Sequence, residues 1–97
     1  MEVSVEMWAY ANGRVRMVNI PSEKVCEEAK HDGNGLLEQV FYYGQNDIQP
    51  LSMPSVSVGD VVLLHNQRFL CWYSGWKELD ETTYKNHCLK CLSKEFV

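Results

Sequence analysis

Apolar and polar residues alternate from Val3 to Tyr10, with Val3, Val5, Met7 and Ala9 on one side of an extended chain and Ser4, Glu6, Trp8 and Tyr10 on the other. Arg14 to Ile20 alternates again, and Asn12-Gly13 lies between the two runs. That arrangement predicts a β-hairpin, because a type I′ turn needs φ > 0 at both central residues and Asn-Gly supplies it. Counting outward from a two-residue turn pairs Tyr10 with Val15, Trp8 with Met17 and Met7 with Val18. Pro21-Ser22 ends the second strand, and Ser22 is suited to cap a helix from Glu23 to His31 that places Val25, Cys26 and Ala29 on one side. Asp32-Gly33-Asn34-Gly35 breaks it. A second short helix is expected from Leu36 to Tyr43, with Leu36, Leu37, Val40 and Phe41 as its apolar stripe and Gly44 at its C′ position.

Gln45 to Ser57 carries no period and holds Pro50 and Pro54. Loops of about a dozen residues are uncommon in compact domains and are often binding elements. Ser55-Val-Ser-Val-Gly-Asp60 then runs into Val61-Val-Leu-Leu64, the most apolar stretch of the chain. Gly59-Asp60 is turn chemistry, and the apolar run reads as a buried central strand spanning Asp60 to His65. Asn66-Gln67 is the expected turn into an antiparallel return, Arg68 to Tyr73. Ser74-Gly75 breaks that strand, and Trp76 to Leu79 reads as another short one. Asp80 or Thr82 caps a last helix through about Ser93, with Tyr84, Cys88, Cys91 and Leu92 on one face. The order β-β-α-α-β-β-β-α predicts one α+β domain over residues 1–97: a small antiparallel sheet built from two hairpins, two short helices between them, and a C-terminal helix.

Composition narrows the function classes. The chain has 97 residues, 45% of them apolar, with enough bulky side chain for one core without an obligatory metal or disulfide. Its formal net charge is −4. An acidic chain is a poor general nucleic-acid binder, since that affinity comes largely from Lys and Arg on phosphates, but it suits a basic protein partner. No stretch is apolar enough to span a membrane, and Met1-Glu-Val-Ser-Val-Glu6 lacks the features of a signal peptide, so a cytosolic location with thiol cysteines is expected.

Three constellations have candidate chemistry. Cys88 and Cys91, preceded by His87, have a metal or redox spacing, and Cys26, Cys71 or His31 are available as a further ligand. Two cysteines three apart near a helix end read more simply as core-facing thiols, and no cofactor is expected. Gln45, Asn46 and Asp47 with Asp60 and His65 supply acid and amide groups for a hydrolase. Their simpler reading is turn capping, and the chain has no nucleophile elbow, P-loop or paired-carboxylate motif, so an enzyme is not expected. Trp72, Tyr73 and Trp76 with Tyr42 and Tyr43 form a dense aromatic set, a composition shared by domain cores and by interface cores.

The segments Leu37-Glu-Gln-Val-Phe41, Gly44-Gln-Asn-Asp47 with Gln49-Pro50, and Ser55-Val-Ser-Val-Gly-Asp-Val-Val62 resemble a family of small proteins encoded on plasmids, phages and integrated elements. Those proteins share this pattern followed by a hairpin and an aromatic-Gly-aromatic end, here Tyr73-Ser-Gly-Trp76. The Ser-Val-Ser-Val-Gly-Asp piece, residues 55–60, is also similar to the YodL-type modules of mobile elements. The resemblance runs from about Leu36 to Leu79 and leaves out the first hairpin and the last helix. It implies a mobile-element context and brings no activity with it. In that context the expectation is an accessory protein that docks on a host protein, such as a nucleic-acid-handling defence factor with a basic surface, and modulates or inhibits it through Tyr43, Asn46, Asp47, Trp72 and Trp76. The alternative is a small non-catalytic nucleic-acid or nucleotide-binding module, with the Gln45 to Ser57 loop on the ligand and Trp72 or Trp76 stacked on a base.

Overall fold

The computed structural model describes residues 1–28 and 33–93. Its elements are β1 (Glu2–Met7), β2 (Arg14–Asn19), α1 (Ser22–Glu28), α2 (Gly33–Tyr43), β3 (Val61–Leu64), β4 (Gln67–Trp72), β5 (Gly75–Leu79) and α3 (Glu81–Ser93). The strands form one antiparallel sheet in the order β2-β1-β3-β4-β5, an α+β architecture with the expected sequence of elements. β3 is the central strand, as its apolar run predicts. No helix among the described residues is long and apolar enough to cross a membrane.

The sheet has two unequal faces. Val3, Val5, Met7, Val18, Val62 and Leu64 share one face and pack with Ala11, Ile20, Val56 and the inner side of α2, namely Leu36, Leu37 and Val40. Fully burying such an aliphatic side chain is worth about 1.5–3 kcal/mol, so this layer dominates the fold. On the other face Val61, Leu70 and Leu79 make a smaller cluster with Trp8 and with Tyr84 of α3. Asp80 caps α3 by accepting the Thr83 amide proton at 2.8 Å. The inner side of α3 is Tyr84, His87, Cys88 and Cys91, all half-buried, whereas Leu92 lies toward solvent.

Several local expectations are corrected. Met7 faces Arg14 rather than Val18, so the first ladder starts well before Asn12-Gly13. Asn12 and Gly13 do take positive φ, but they close a wider loop in which Ala11 and Gly13 both donate to the Met7 carbonyl, at 3.1 and 3.0 Å. Tertiary contacts widen it: the Trp8 ring lies over Gly13, where a Cβ would be 2.7 Å from the ring, and the Ala9 amide is held by Asp60 at 2.9 Å. The displacement is an even number of residues, so each side chain keeps its predicted face. The β3–β4 turn is His65-Asn66, both at positive φ, one residue before the expected Asn66-Gln67; His and Asn tolerate this conformation better than Gln. α2 begins at Gly33 instead of Leu36, within the expected breaker, because packing of Leu36, Leu37 and Val40 outweighs the poor propensity of its first turn. Gly44 follows α2 without a left-handed φ; glycine is needed there because a Cβ would collide with the Val56 side chain and lie 2.8 Å from the Val40 carbonyl. The expected extension of the first helix to His31 falls partly outside the described residues.

The long Gln45–Ser57 segment is ordered by one side chain. Register places Arg16 on the apolar face of β2, opposite Val5, and it is 1% exposed. Its Nη1 donates to Asn46 Oδ1 at 2.7 Å and to the Pro54 carbonyl at 2.8 Å, and its Nη2 donates to the Gln49 carbonyl at 2.6 Å. Nε has no partner, and no carboxylate among the described residues pairs with the guanidinium. Burial lowers the Arg16 pKa from its ordinary value. Asn46 is oriented in turn, donating through Nδ2 to the Met53 carbonyl at 2.7 Å and through its backbone to Ser55 Oγ at 2.9 Å. The Gln49 side chain bonds both backbone groups of Asn19 and so occupies the outer edge of β2.

Removing the guanidinium leaves the part-buried Pro54 and Gln49 carbonyls without a donor among the described residues, at about 1–3 kcal/mol each, and leaves Asn46 Oδ1 with the Leu51 amide at 3.4 Å. Arg16→Met is therefore expected to lower the unfolding free energy by about 3–5 kcal/mol, a large part of a small domain's stability. Urea unfolding checks this; a change below about 1 kcal/mol would contradict the assigned role.

Candidate docking surface

The β4–β5 connection has only two residues, Tyr73 and Ser74, between the paired Trp72 and Gly75. Gly75 has φ +123°, a conformation closed to L side chains, although there is open space where a Cβ would lie; the turn requires glycine for its backbone. Because side chains alternate, Trp72 points to the α3 face of the sheet, while Cys71 and its partner Trp76 point to the α2 face. Trp72 is 48% exposed and Tyr73 is 82% exposed, with ring centroids 5.2 Å apart and planes at 72°. The Trp76 indole donates to Glu38 Oε1 of α2 at 3.1 Å. Glu38 and Phe41, one turn apart on α2, close the other side of a hollow of about 260 Å³ that also involves Cys71 and Trp76. Burial, followed by the negative charges of Asp60 and Glu38, pushes the Cys71 thiol up to about 11, so at neutral pH it is protonated and a poor nucleophile.

A second hollow of about 370 Å³ lies on the α3 side of the same turn, lined by Trp8, Tyr10, Trp72, Tyr73, His87 and Cys91 among others. His87 Nε2 lies 2.8 Å from the Gly59 carbonyl, which can only accept, so the neutral ring carries its proton on Nε2. Cys91 Sγ is 3.6 Å from that same nitrogen, which therefore cannot serve as the base that would activate the thiol.

Of the five residues singled out from the sequence, the fold brings Trp72 and Trp76 to one hollow and leaves the others elsewhere. Tyr43 is half-buried against the main core and edge-on to Tyr42, with centroids 4.9 Å apart. Asn46 is a partner of Arg16, and Asp47 is exposed on the turn beside it. Glu38, Phe41 and Tyr73 complete the surface. Tyr73 was visible within the aromatic set, but Phe41 belonged to the expected core stripe and is partly exposed instead. An acid and an aromatic three apart on α2 are the only sequence signal for that side of the hollow.

The acid and amide constellation does not assemble among the described residues. Asp60 and His65 lie at opposite ends of β3. Asp60 is fully buried and accepts the Ala9 and Ser57 amide protons at 2.9 and 2.8 Å, while its backbone extends the ladder to Cys71. The Ser-Val-Gly-Asp motif thus ties the start of β3 to the loop after β1. Among the described residues no group of three His, Cys, Asp or Glu side chains is placed to hold a metal ion; the Cys26 side chain and His31 lie outside them. In the Gln45–Ser57 loop, Asn46, Gln49 and Ser55 are bonded within the fold rather than presented to a ligand. Comparison with family models, with curated proteins and with solved structures finds no match to this chain.

Burial raises the Asp60 pKa above its ordinary 3.8, against the lowering effect of the amide bonds and of His87. The folded state then binds this proton more tightly than the unfolded chain does, so wild type loses stability as pH rises from the ordinary carboxylate value through the folded-state value. The unfolding free energy of wild type minus that of Asp60→Asn should fall across that window and level off above it. Paired urea titrations from about pH 3.5 to 7 measure this, and a difference that grows with pH would show that the amide bonds outweigh burial.

Proposed function

We propose that this chain is a small docking protein, an accessory factor of a phage or other mobile element, that binds a host protein and modulates or inhibits it through the β4–β5 turn. The observation that carries the reading is the exposure of Trp72 and Tyr73 side by side at a two-residue turn, beside a hollow edged by Trp76 and Phe41. Adjacent exposed aromatics on a small domain are the composition of binding hot spots. The net charge of −4 favours a partner with a basic surface, as a nucleic-acid-handling defence factor would have. The mobile-element context comes from the family resemblance and is part of the proposal. Within it, Trp72 and Tyr73 are the anchors, Trp76 supports them, and Asp47 contributes at most to the rim.

Trp72→Ala and Tyr73→Ala should leave the melting temperature close to wild type, because both rings are largely outside the core. Each should weaken capture of the host partner by about thirtyfold, the loss of one hot-spot residue. The check is a tagged pull-down from lysate of the native host, followed by titration of the retained protein. Trp76→Ala is a poorer probe, since Trp76 also packs against the main core. Retention of no protein by wild type, or equal retention by both variants, would contradict the proposal.

A further inference from the structure

The hollow between α2 and the β4–β5 turn combines aromatic surface with a single charge. Phe41, Trp72, Tyr73 and Trp76 supply the rings, Glu38 supplies the carboxylate, and no lining residue is basic. Its volume of about 260 Å³ is below the range that takes a drug-sized ligand and suits the end of one side chain. Trp72 and Tyr73 meet edge to face, with planes at 72°, and both border this hollow as well as the one on the α3 side. Trp76 holds Glu38 through Oε1, and no described residue bonds Oε2. The Cys71 thiol at the floor of the hollow is raised chiefly by burial and then by the nearby carboxylates of Asp60 and Glu38.

We propose that this hollow receives the guanidinium of an arginine side chain on the protein partner, stacked on the exposed aromatic rings and paired with Glu38. Arginine fits better than lysine because its planar, weakly hydrated cation stacks on π faces and simultaneously donates in-plane to a carboxylate. The inference rests on the docking reading above and names the partner chemistry it needs: a basic surface with at least one protruding arginine. It also explains why an acidic residue belongs among the aromatics, where a purely apolar anchor site would exclude it.

The test uses the full chain and three capped amino acids: N-acetyl-arginine methylamide, the citrulline analogue as neutral isostere, and the trimethyl-lysine analogue as an ammonium. Indole N–H signals of Trp8, Trp72 and Trp76 are assigned with single Trp→Phe variants and followed by NMR. The arginine compound should move the Trp72 and Trp76 signals with roughly millimolar affinity, while Trp8, which donates to Glu6 at 2.9 Å, stays in place. Glu38→Gln keeps an acceptor for the Trp76 indole but removes the charge, and should weaken the response about tenfold. The citrulline compound should give no saturable shift. Equal response to citrulline, an unchanged response in Glu38→Gln, or stronger binding of the trimethyl-lysine compound would overturn the assignment. If these fail while host-protein capture still depends on Trp72, the guanidinium site is wrong and the docking reading stands; if capture itself is absent, the docking reading fails first.

Discussion

A buried guanidinium, with no carboxylate partner among the described residues, holds the irregular segment between α2 and β3 in place. Arg16 reaches from β2 to Asn46, Gln49 and Pro54, and all of its partners are neutral acceptors. Such an arrangement is costly to desolvate, and the cost is offset by the donors it gives to the part-buried Pro54 and Gln49 carbonyls and to Asn46 Oδ1. The latch sets the path of the chain from α2 to β3. That path brings Val56 under Gly44 and Val58 to the edge of both hollows, and it delivers Gly59-Asp60 to the start of the central strand. The β4–β5 turn then emerges where α2, the loop and the sheet meet. The bonded polar side chains of the loop therefore serve the fold, and the exposed aromatic surface lies at the neighbouring turn.

Most of the fold was legible along the chain because its signals are local. Alternation identified β1 and β2, the Val61–Leu64 run identified the central strand, and Ser22 and Asp80 marked helix starts. What escaped depends on contacts between distant residues. The wider β1–β2 loop is held by Trp8 over Gly13 within the hairpin and by Asp60 on Ala9 from fifty-one positions away, and the second contact has no trace in the hairpin's own sequence. A charged residue on the apolar side of an alternating run was a visible anomaly at Arg16, but its partners lie more than thirty positions away for Pro54 and Gln49. Gly44 fitted a helix terminus by pattern, whereas its actual constraint is the side chain of Val56.

The site was legible only in its aromatic half. A run of Trp and Tyr around a Ser-Gly break marks a hairpin tip, and Trp72 and Trp76, on opposite faces by alternation, both border the hollow beside α2. Tyr43 and Asn46 looked equally available in the sequence; burial against the core and the Arg16 latch withdrew them. Glu38 joined the surface through a bond to Trp76 across thirty-eight positions, a distance at which no local pattern speaks. Exposure distinguishes an anchor from a core aromatic, and exposure is a property of the folded chain.

The docking proposal places the partner on the tip of the β4–β5 turn and on no other part of the sheet. Replacing Tyr73 with a photoreactive phenylalanine analogue tests this most directly, with Val15 on the opposite edge strand as the control position. Irradiation in the native host should give one dominant covalent adduct from position 73, mapping to an arginine-bearing basic surface of a host protein, and none from position 15. Equal adducts from both positions, or an adduct from position 15 alone, would contradict the account.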